Sequence, residues 1–193
     1  MKTLLITAAM AASILAPAAA HAQAVPGAVI AVVDLERVTA ECNACKTAQA
    51  ALRSQATAFE NERKTLGTSL QAERTSIQTA VDALKGKDPD AALQARIKAF
   101  QTKAQQDETQ LQARQQQIAR NQQYIQKQVL DKLNPIYQQV MQRRGANILM
   151  EQGSTLATAT SVDVTNDVLT ALNVSLPSLV TQAPAAPAQP QGR

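Results

Sequence analysis

The sequence has 193 residues, a formal net charge of +4, two cysteines, one histidine and only four aromatic side chains. Proteins that bind single-stranded nucleic acid usually stack bases on aromatic rings, so a basic chain with so few rings disfavours nucleic acid as a partner. One histidine and two cysteines cannot supply the four ligands of a structural zinc site. The composition therefore points away from both nucleic-acid binding and metal binding.

Residues 1–22 have the features of a secretory signal peptide. Lys2 supplies the positive start, an apolar stretch spans residues 4–16, and Ala20-His21-Ala22 forms a small-x-small cleavage site. The apolar stretch is shorter than the ~20 residues that a membrane-spanning helix needs. We therefore expect a soluble, exported chain that starts at Gln23. It would have lost the single histidine and carry a net charge of +3.

Residues 23–45 are predicted to form the first part of a small body. The β-branched run Val29–Val33 indicates a buried strand, and Asp34 is expected to cap the short helix that follows it. Cys42 and Cys45 come next and form the only redox motif of the chain. A local structural disulfide, free or intermolecular thiols, and a thiol-disulfide exchange site are the three interpretations of this pair.

Residues 46–143 predict a long helical hairpin because apolar residues repeat every seven positions in both halves. The repeat is interrupted once, at residues 86–90, which we predict to be the tip. Asp88 is expected to cap the second helix, with Pro89 in its first turn. In the second arm, Pro135 is expected to kink the helix, and Gly145 is expected to end it.

Pairing the arms about this tip separates two groups of apolar residues. Near the tip both sides of each layer are apolar, and the predicted packing residues are Ile77, Ala80, Leu93 and Ile97. In the middle of the shaft, most layers pair an apolar residue with a polar or charged one. A buried unpaired charge is costly, so these layers should stay open to water. The residues predicted to remain available to a bound partner are Phe59, Leu66, Phe100 and Leu111.

Residues 144–176 are predicted to complete the body. Two strands, at 147–150 and 155–160, precede a short amphipathic helix that starts at Thr165, and the Pro/Ala-rich residues 177–193 are predicted to be disordered. The expected fold class is α+β, with a long antiparallel coiled-coil hairpin projecting from a small β-sheet body. Such a body is marginal alone, and three copies could close their sheets into a shared barrel.

The positive charge is concentrated on the hairpin. Residues 46–130 carry 13 basic and 8 acidic side chains, a net charge of +5. A positive shaft favours an acidic partner, and contact with anionic lipid or lipopolysaccharide is one interpretation. An ordinary solvated helix face is the other.

The chain resembles the Skp/OmpH family of periplasmic chaperones. The resemblance rests on the signal peptide, the segment Ile30–Val38, the coiled-coil hairpin and the closing segment Asp163–Val168. It implies a homotrimer with a shared β body, located in the periplasm. It also implies an ATP-independent holdase, which takes in unfolded outer-membrane β-barrel proteins (its clients) and keeps them from aggregating without a cofactor.

Two other functions remain as alternatives. The hairpin could serve as a structural spacer or adaptor in the cell envelope, and Cys42 and Cys45 could belong to a redox protein. The sequence has no paired acid/base carboxylates, glycine-rich phosphate loop or nucleophile elbow. We therefore predict no catalytic residues and no enzymatic activity.

Overall fold

The computed structural model describes residues 26–184 and consists mostly of helix. The predicted signal peptide lies outside the described residues, as do residues 185–193. Two short strands and four α-helices follow one another within residues 26–184. They are β1 (Ile30–Val33), α1 (Leu35–Glu41), α2 (Asn43–Ala83), α3 (Ala91–Arg144), β2 (Ile148–Glu151) and α4 (Thr165–Ser175).

The two long helices form the predicted hairpin. Helix α2 has 41 residues and α3 has 54, which corresponds to about 60 and 80 Å at the α-helical rise. Helix α3 continues past Pro135 and ends at Gly145, whose left-handed conformation (φ 66°) is the backbone geometry that glycine adopts without a Cβ penalty. The sequence therefore placed this helix end correctly.

The tip differs from the predicted turn in one respect. Lys85 and Gly86 have positive φ angles of 49° and 87° and reverse the chain. The cap of α3 is then Asp90 rather than Asp88, since the Asp90 carboxylate accepts a hydrogen bond from the N–H of Leu93 at 2.8 Å. An N-cap carboxylate bonds the amide two or three residues ahead, and the reversal places Asp88 too early for that amide. Pro89 accordingly precedes the helix instead of lying within it.

The sheet of the body has two parallel strands within the described residues, with Ile30 opposite Ile148 and Val33 opposite Glu151. The predicted third strand at 155–160 is wrong, because Leu156 is fully exposed and residues 160–162 form a 3-10 turn. The segment pairs with neither β1 nor β2. The second edge of β1 is used by the segment around Asp163, where the N–H of Val164 donates to the carbonyl of Val32 at 2.8 Å.

Helix α4 closes the body by packing across α1, α3 and β1. Its Val168 and Leu172 are completely buried against a core that also contains Val38 and Val140. The predicted cap at Asp34 is confirmed, since its carboxylate accepts from the N–H of Arg37 at 2.8 Å. The described segments before and after the hairpin thus form one core with the root of the hairpin.

The hydrogen bonds at the start of α4 predict that the stability of the folded protein depends on pH. Hydrogen bonds from the hydroxyl and N–H of Thr165 hold the pKa of the Asp163 carboxyl below its usual value. A lowered folded-state pKa stabilises the protein above about pH 4, the unfolded-state pKa, and this stabilisation disappears as the pH falls through the folded-state value.

We therefore expect Asp163→Asn to lower the melting temperature at pH 7, and the difference from the unsubstituted protein to shrink towards zero below pH 4. Thermal unfolding between pH 2 and 7 measures this difference. Asp88→Asn at the tip is the control, because Asp88 makes no hydrogen bond or ion pair within the described residues. A constant melting-temperature difference across this pH range would contradict the assignment.

The start of the C-terminal tail is ordered rather than disordered. Residues 177–184 lie along the hairpin near its root and form hydrogen bonds with both long helices. Leu176 is buried in the core, and Leu179 packs against it. The composition that predicted disorder did not account for polar side chains elsewhere in the chain that hold this segment.

Candidate functional site

Side-chain hydrogen bonds between the two arms set the register of the shaft. The amide of Asn121 donates to Gln55 at 2.7 Å near the root, and Gln110 donates to Glu62 at 2.5 Å in the middle. Nearer the tip, Arg96 donates to Glu73 at 2.7 Å. This bond lowers the pKa of the Glu73 carboxyl. Polar groups therefore occupy the seam along much of its length, as expected from the mixed layers.

Burial along the hairpin falls steeply away from the body. Buried apolar side chains of α3 lie near the root, at Ile125, Val129, Leu133, Ile136 and Val140. Within the described arms, residues 49–83 and 91–120 contain no fully buried apolar side chain. A shaft of this length is therefore held by half-buried contacts, which leave apolar surface in water.

The four predicted partner-contact residues lie in this half-buried part of the shaft. Phe59 and Leu66 are on α2, and Phe100 and Leu111 are on α3; all four retain intermediate exposure. The predicted tip residues Ile77, Ala80, Leu93 and Ile97 are also half-buried. The exposure of these side chains in a single chain is therefore the same at the tip and in the middle of the shaft.

Two polar layers that we expected to stay open to water are closed. Asp107 and Asn121 are buried, with exposures of 7% and 2%. The Asp107 carboxylate is paired with Lys103 at 2.9 Å, and Asn121 is hydrogen-bonded to Gln55. We expected these layers to stay open because an Asp107 carboxylate without a partner would be costly to bury. A partner one helical turn away removes most of that cost.

The body carries exposed apolar side chains on its small sheet. Ile30 and Ile148 face each other across the strand pair and are 42% and 41% exposed. Val29 and the fully exposed Leu156 lie in the neighbouring segments. The sheet of a single chain therefore exposes apolar surface to water.

A second apolar surface lies at the root of the hairpin. An open cleft of about 450 Å³ between α1, α2 and α3 is lined mainly by apolar side chains, among them Leu35, Ile125, Leu133 and Tyr137. Burial in this apolar wall, and to a lesser extent the charge of Glu151, raises the pKa of the Tyr137 hydroxyl. Sequence reasoning missed this cleft because its walls come from distant segments.

The positive charge of the shaft is largely unneutralised. Among the 13 basic side chains of residues 46–130, four form ion pairs, namely Arg63, Arg96, Lys103 and Lys127. Most of the others are exposed. Surface charges attract over about 8 Å at physiological salt, so an acidic segment would be drawn to the shaft only at short range.

Cys42 and Cys45 start helix α2 and are joined as a disulfide, with Cα atoms 5.1 Å apart. Both residues are buried, and the Cys42 sulfur also accepts from the N–H of Cys45 at 3.2 Å, as an N-cap. Thiol exchange requires access for an attacking thiolate. The burial of both residues favours a local structural role over the redox alternative.

Neither a metal centre nor a membrane-spanning helix is found within residues 26–184. No group of three or more His, Cys, Asp or Glu side chains in this range is arranged to hold an ion. No helix in the same range is long and apolar enough to cross a bilayer.

The seam amides near the root are functional candidates that the sequence analysis did not name. Gln55, Gln117, Asn121 and Gln128 contact the C-terminal tail. In the glutamine-rich second arm, Gln117, Asn121 and Gln128 are spaced by four and seven. This spacing places them on the seam face and was the one signal available.

Comparisons with known proteins agree on the family and the fold. The family model described as "Outer membrane protein (OmpH-like)" matches residues 29–172. A crystal structure from Caulobacter crescentus, of a candidate outer membrane chaperone described as OmpH-like, superposes with a TM-score of 0.70. It shares 21% sequence identity, and the match covers 86% of this chain and 96% of that one. No curated protein sequence matches the chain significantly.

Proposed function

This chain belongs to the OmpH-like outer membrane protein family, and we propose that it is a periplasmic holdase chaperone that binds unfolded outer-membrane proteins without ATP. The proposal rests on the exposure of apolar side chains along the shaft. The part of α2 at residues 49–83 and the part of α3 at residues 91–120 contain no fully buried apolar side chain. Both parts keep apolar side chains at intermediate exposure, namely Phe59, Leu66, Phe100 and Leu111. A stable rod without a binding role would gain from sealing these side chains.

Half-buried apolar side chains suit a chaperone that releases its client without an energy source. Full burial of such a side chain is worth roughly 1.5–3 kcal/mol, and partial burial correspondingly less. Several contacts of this size bind a client firmly, but each one opens readily. The exposed lysines and arginines of the shaft add attraction at short range and keep it in solution.

Assembly into a homotrimer is part of the proposal. A two-stranded parallel sheet is too small to be stable by itself, since parallel sheets normally occur with both faces covered. The exposed pair Ile30 and Ile148 lies on the sheet that neighbouring copies would cover. Three bodies joined in this way would orient three hairpins around one client.

The proposal is tested by diluting a urea-denatured outer-membrane β-barrel protein into buffer containing the chain without residues 1–22. We expect light scattering from aggregates to fall to near baseline at a few-fold molar excess of the chain, with no nucleotide added. Analytical ultracentrifugation of the same samples should show a trimer, alone and with one client.

A trimer that leaves aggregation unchanged at this excess would reject the chaperone function and favour an envelope spacer. Bovine serum albumin at equal mass is the control for non-specific protection. Contact with anionic lipid, the other expected partner, is tested by co-sedimentation with vesicles that contain lipopolysaccharide or anionic phospholipid.

A further inference from the structure

The start of the C-terminal tail lies along the seam between α2 and α3, just outside the root of the hairpin. Gln128 forms two hydrogen bonds with Val180, accepting from its N–H at 3.0 Å and donating to its carbonyl at 2.9 Å. Asn121 accepts from the N–H of Ala183 at 2.8 Å. Longer bonds run from Gln55 to the carbonyl of Thr181, at 3.3 Å, and from Gln117 to that of Ala183, at 3.4 Å.

The spacing of these bonds shows that the tail is extended. Between Val180 and Ala183 the tail advances three residues, about 10 Å for an extended chain. Its contacts on α3 move from Gln128 to Asn121, seven residues, which is also about 10 Å along a helix. The two lengths agree, so successive seam amides meet an extended backbone without distortion. The tail runs from the body towards the tip.

The five hydrogen bonds between the seam and the tail all use backbone atoms of the tail. Side-chain amides suit this role because each offers both a donor and an acceptor, the pairing that a neighbouring strand would offer. The side chain of Val180 points largely into water, with 56% of the residue exposed. Recognition of this kind requires an extended backbone and depends on few features of the bound sequence.

Hydrogen bonds within the seam orient Asn121 independently of the tail. Asn121 accepts from Gln117 at 2.7 Å and donates to Gln55 at 2.7 Å. Its oxygen therefore already has one partner and uses its second lone pair for the tail. An acceptor that is already oriented binds an N–H at a smaller entropic cost than a flexible side chain.

We propose that the seam groove formed by Gln55, Gln117, Asn121 and Gln128 is a docking site for extended polypeptide backbone, occupied by residues 180–183 of the chain's own tail until a client segment replaces them. The occupant in the structure is uncharged, as is the whole of residues 177–192. The strand-forming segments of outer-membrane β-barrel proteins alternate apolar and polar residues, and in the extended form they present the same backbone N–H and carbonyl groups as the tail. The replacement step rests on the proposed chaperone function, whereas the docking site does not.

A full-length variant with Val180→Pro and Ala183→Pro tests the docking site. Proline removes the two N–H groups that bind Gln128 and Asn121, and it is compatible with an extended chain. Its matched control is Val180→Ala with Ala183→Ser, which keeps both N–H groups. The probe is a fluorescein-labelled peptide with the sequence of residues 177–184, and its binding is measured by fluorescence anisotropy.

We expect the proline variant to bind the peptide about 10-fold more tightly than the control variant and the unsubstituted protein. A groove that its own tail fills about 90% of the time weakens the apparent affinity by that factor. Adding Gln128→Leu to the proline variant should abolish the gain. Equal peptide affinity in the proline and control variants, or no effect of Gln128→Leu, would overturn the docking site.

Client competition is measured separately with an unfolded outer-membrane protein. Here the proline variant should bind the client more tightly than the control by a similar factor. An unchanged client affinity beside tighter peptide binding would overturn the replacement step alone. The peptide assay contains no outer-membrane protein. Its result therefore tests the docking site even if the chain is not a chaperone. Helix content by circular dichroism should match in all variants, because the core is untouched.

Discussion

Replacing Phe59, Leu66, Phe100 and Leu111 together by alanine is expected to weaken the binding of an unfolded outer-membrane protein by about 10- to 100-fold. This factor corresponds to about 1.4–2.8 kcal/mol in total. It is less than the full transfer energy of four such side chains, because all four are half-buried in the hairpin and a flexible client can repack. Alanine has the highest helix propensity, so the helices should persist.

The measurement is a titration of labelled, urea-denatured client with the variant, followed by anisotropy. The matched control replaces four apolar residues near the tip by alanine, at Ile77, Leu84, Leu93 and Ile97, which are equally half-buried. We expect this control to lower the melting temperature by a similar amount with a smaller loss of client affinity, because the predicted tip layers are apolar on both sides, whereas the predicted middle layers place a polar residue opposite each apolar one. Equal losses of affinity in both variants would show that the middle of the shaft has no special role.

Leu172→Ala is expected to destabilise the body by about 2–5 kcal/mol. The side chain is completely buried where α4 meets the rest of the core, and its removal leaves a cavity that close-packed neighbours fill only in part. Small domains have a total stability of about 5–15 kcal/mol, so this one change removes a large share. Because α4 holds α1, α3 and β1 together, the root of the hairpin should open with it.

Urea unfolding followed by circular dichroism measures this loss. Val174→Ala, two residues away on the exposed side of α4, is the control and should change the free energy of unfolding by no more than about 0.5 kcal/mol. Equal effects of the two substitutions would mean that α4 does not carry the core. In a trimer the unfolding midpoint also rises with protein concentration, so both variants are compared at one concentration.

The two predictions address separate halves of the molecule. The core near α4 determines whether the hairpin is held at its root, and the shaft determines what it contacts. A shaft variant that folds normally but fails to hold a client would link function to the half-buried side chains. A core variant that loses both stability and holding would show only that the shaft needs its body.

Features governed by neighbouring residues could be predicted from the sequence. The seven-residue apolar repeat predicted both long helices, Asp34 was identified as a cap, and Gly145 was identified as the end of α3. Each depends on residues within about one helical turn, where spacing and side-chain chemistry are sufficient. The family followed from short segments of the same kind, Ile30–Val38 and Asp163–Val168.

The errors arose from arrangements that composition and apolar spacing do not fix. Residues 155–160 have the composition of a strand, but they pair with neither β1 nor β2, and the second edge of β1 is used by the segment around Asp163. The layer that contains Asp107 was expected to stay open to water, but Asp107 is buried and its carboxylate pairs with Lys103. At the tip, the exact path of the reversal decided that Asp90 and not Asp88 is the cap.

The sequence by itself determined the two long helices, the cap at Asp34, the end of α3 and the family, because periodicity and capping act through adjacent turns. Only the tertiary structure decided where the second long helix begins, how the body uses its strand edges, and that the tail lies on the seam amides. These features depend on contacts between residues as far apart as Gln55 and Thr181. Their free energy comes from the folded arrangement, which no local pattern encodes.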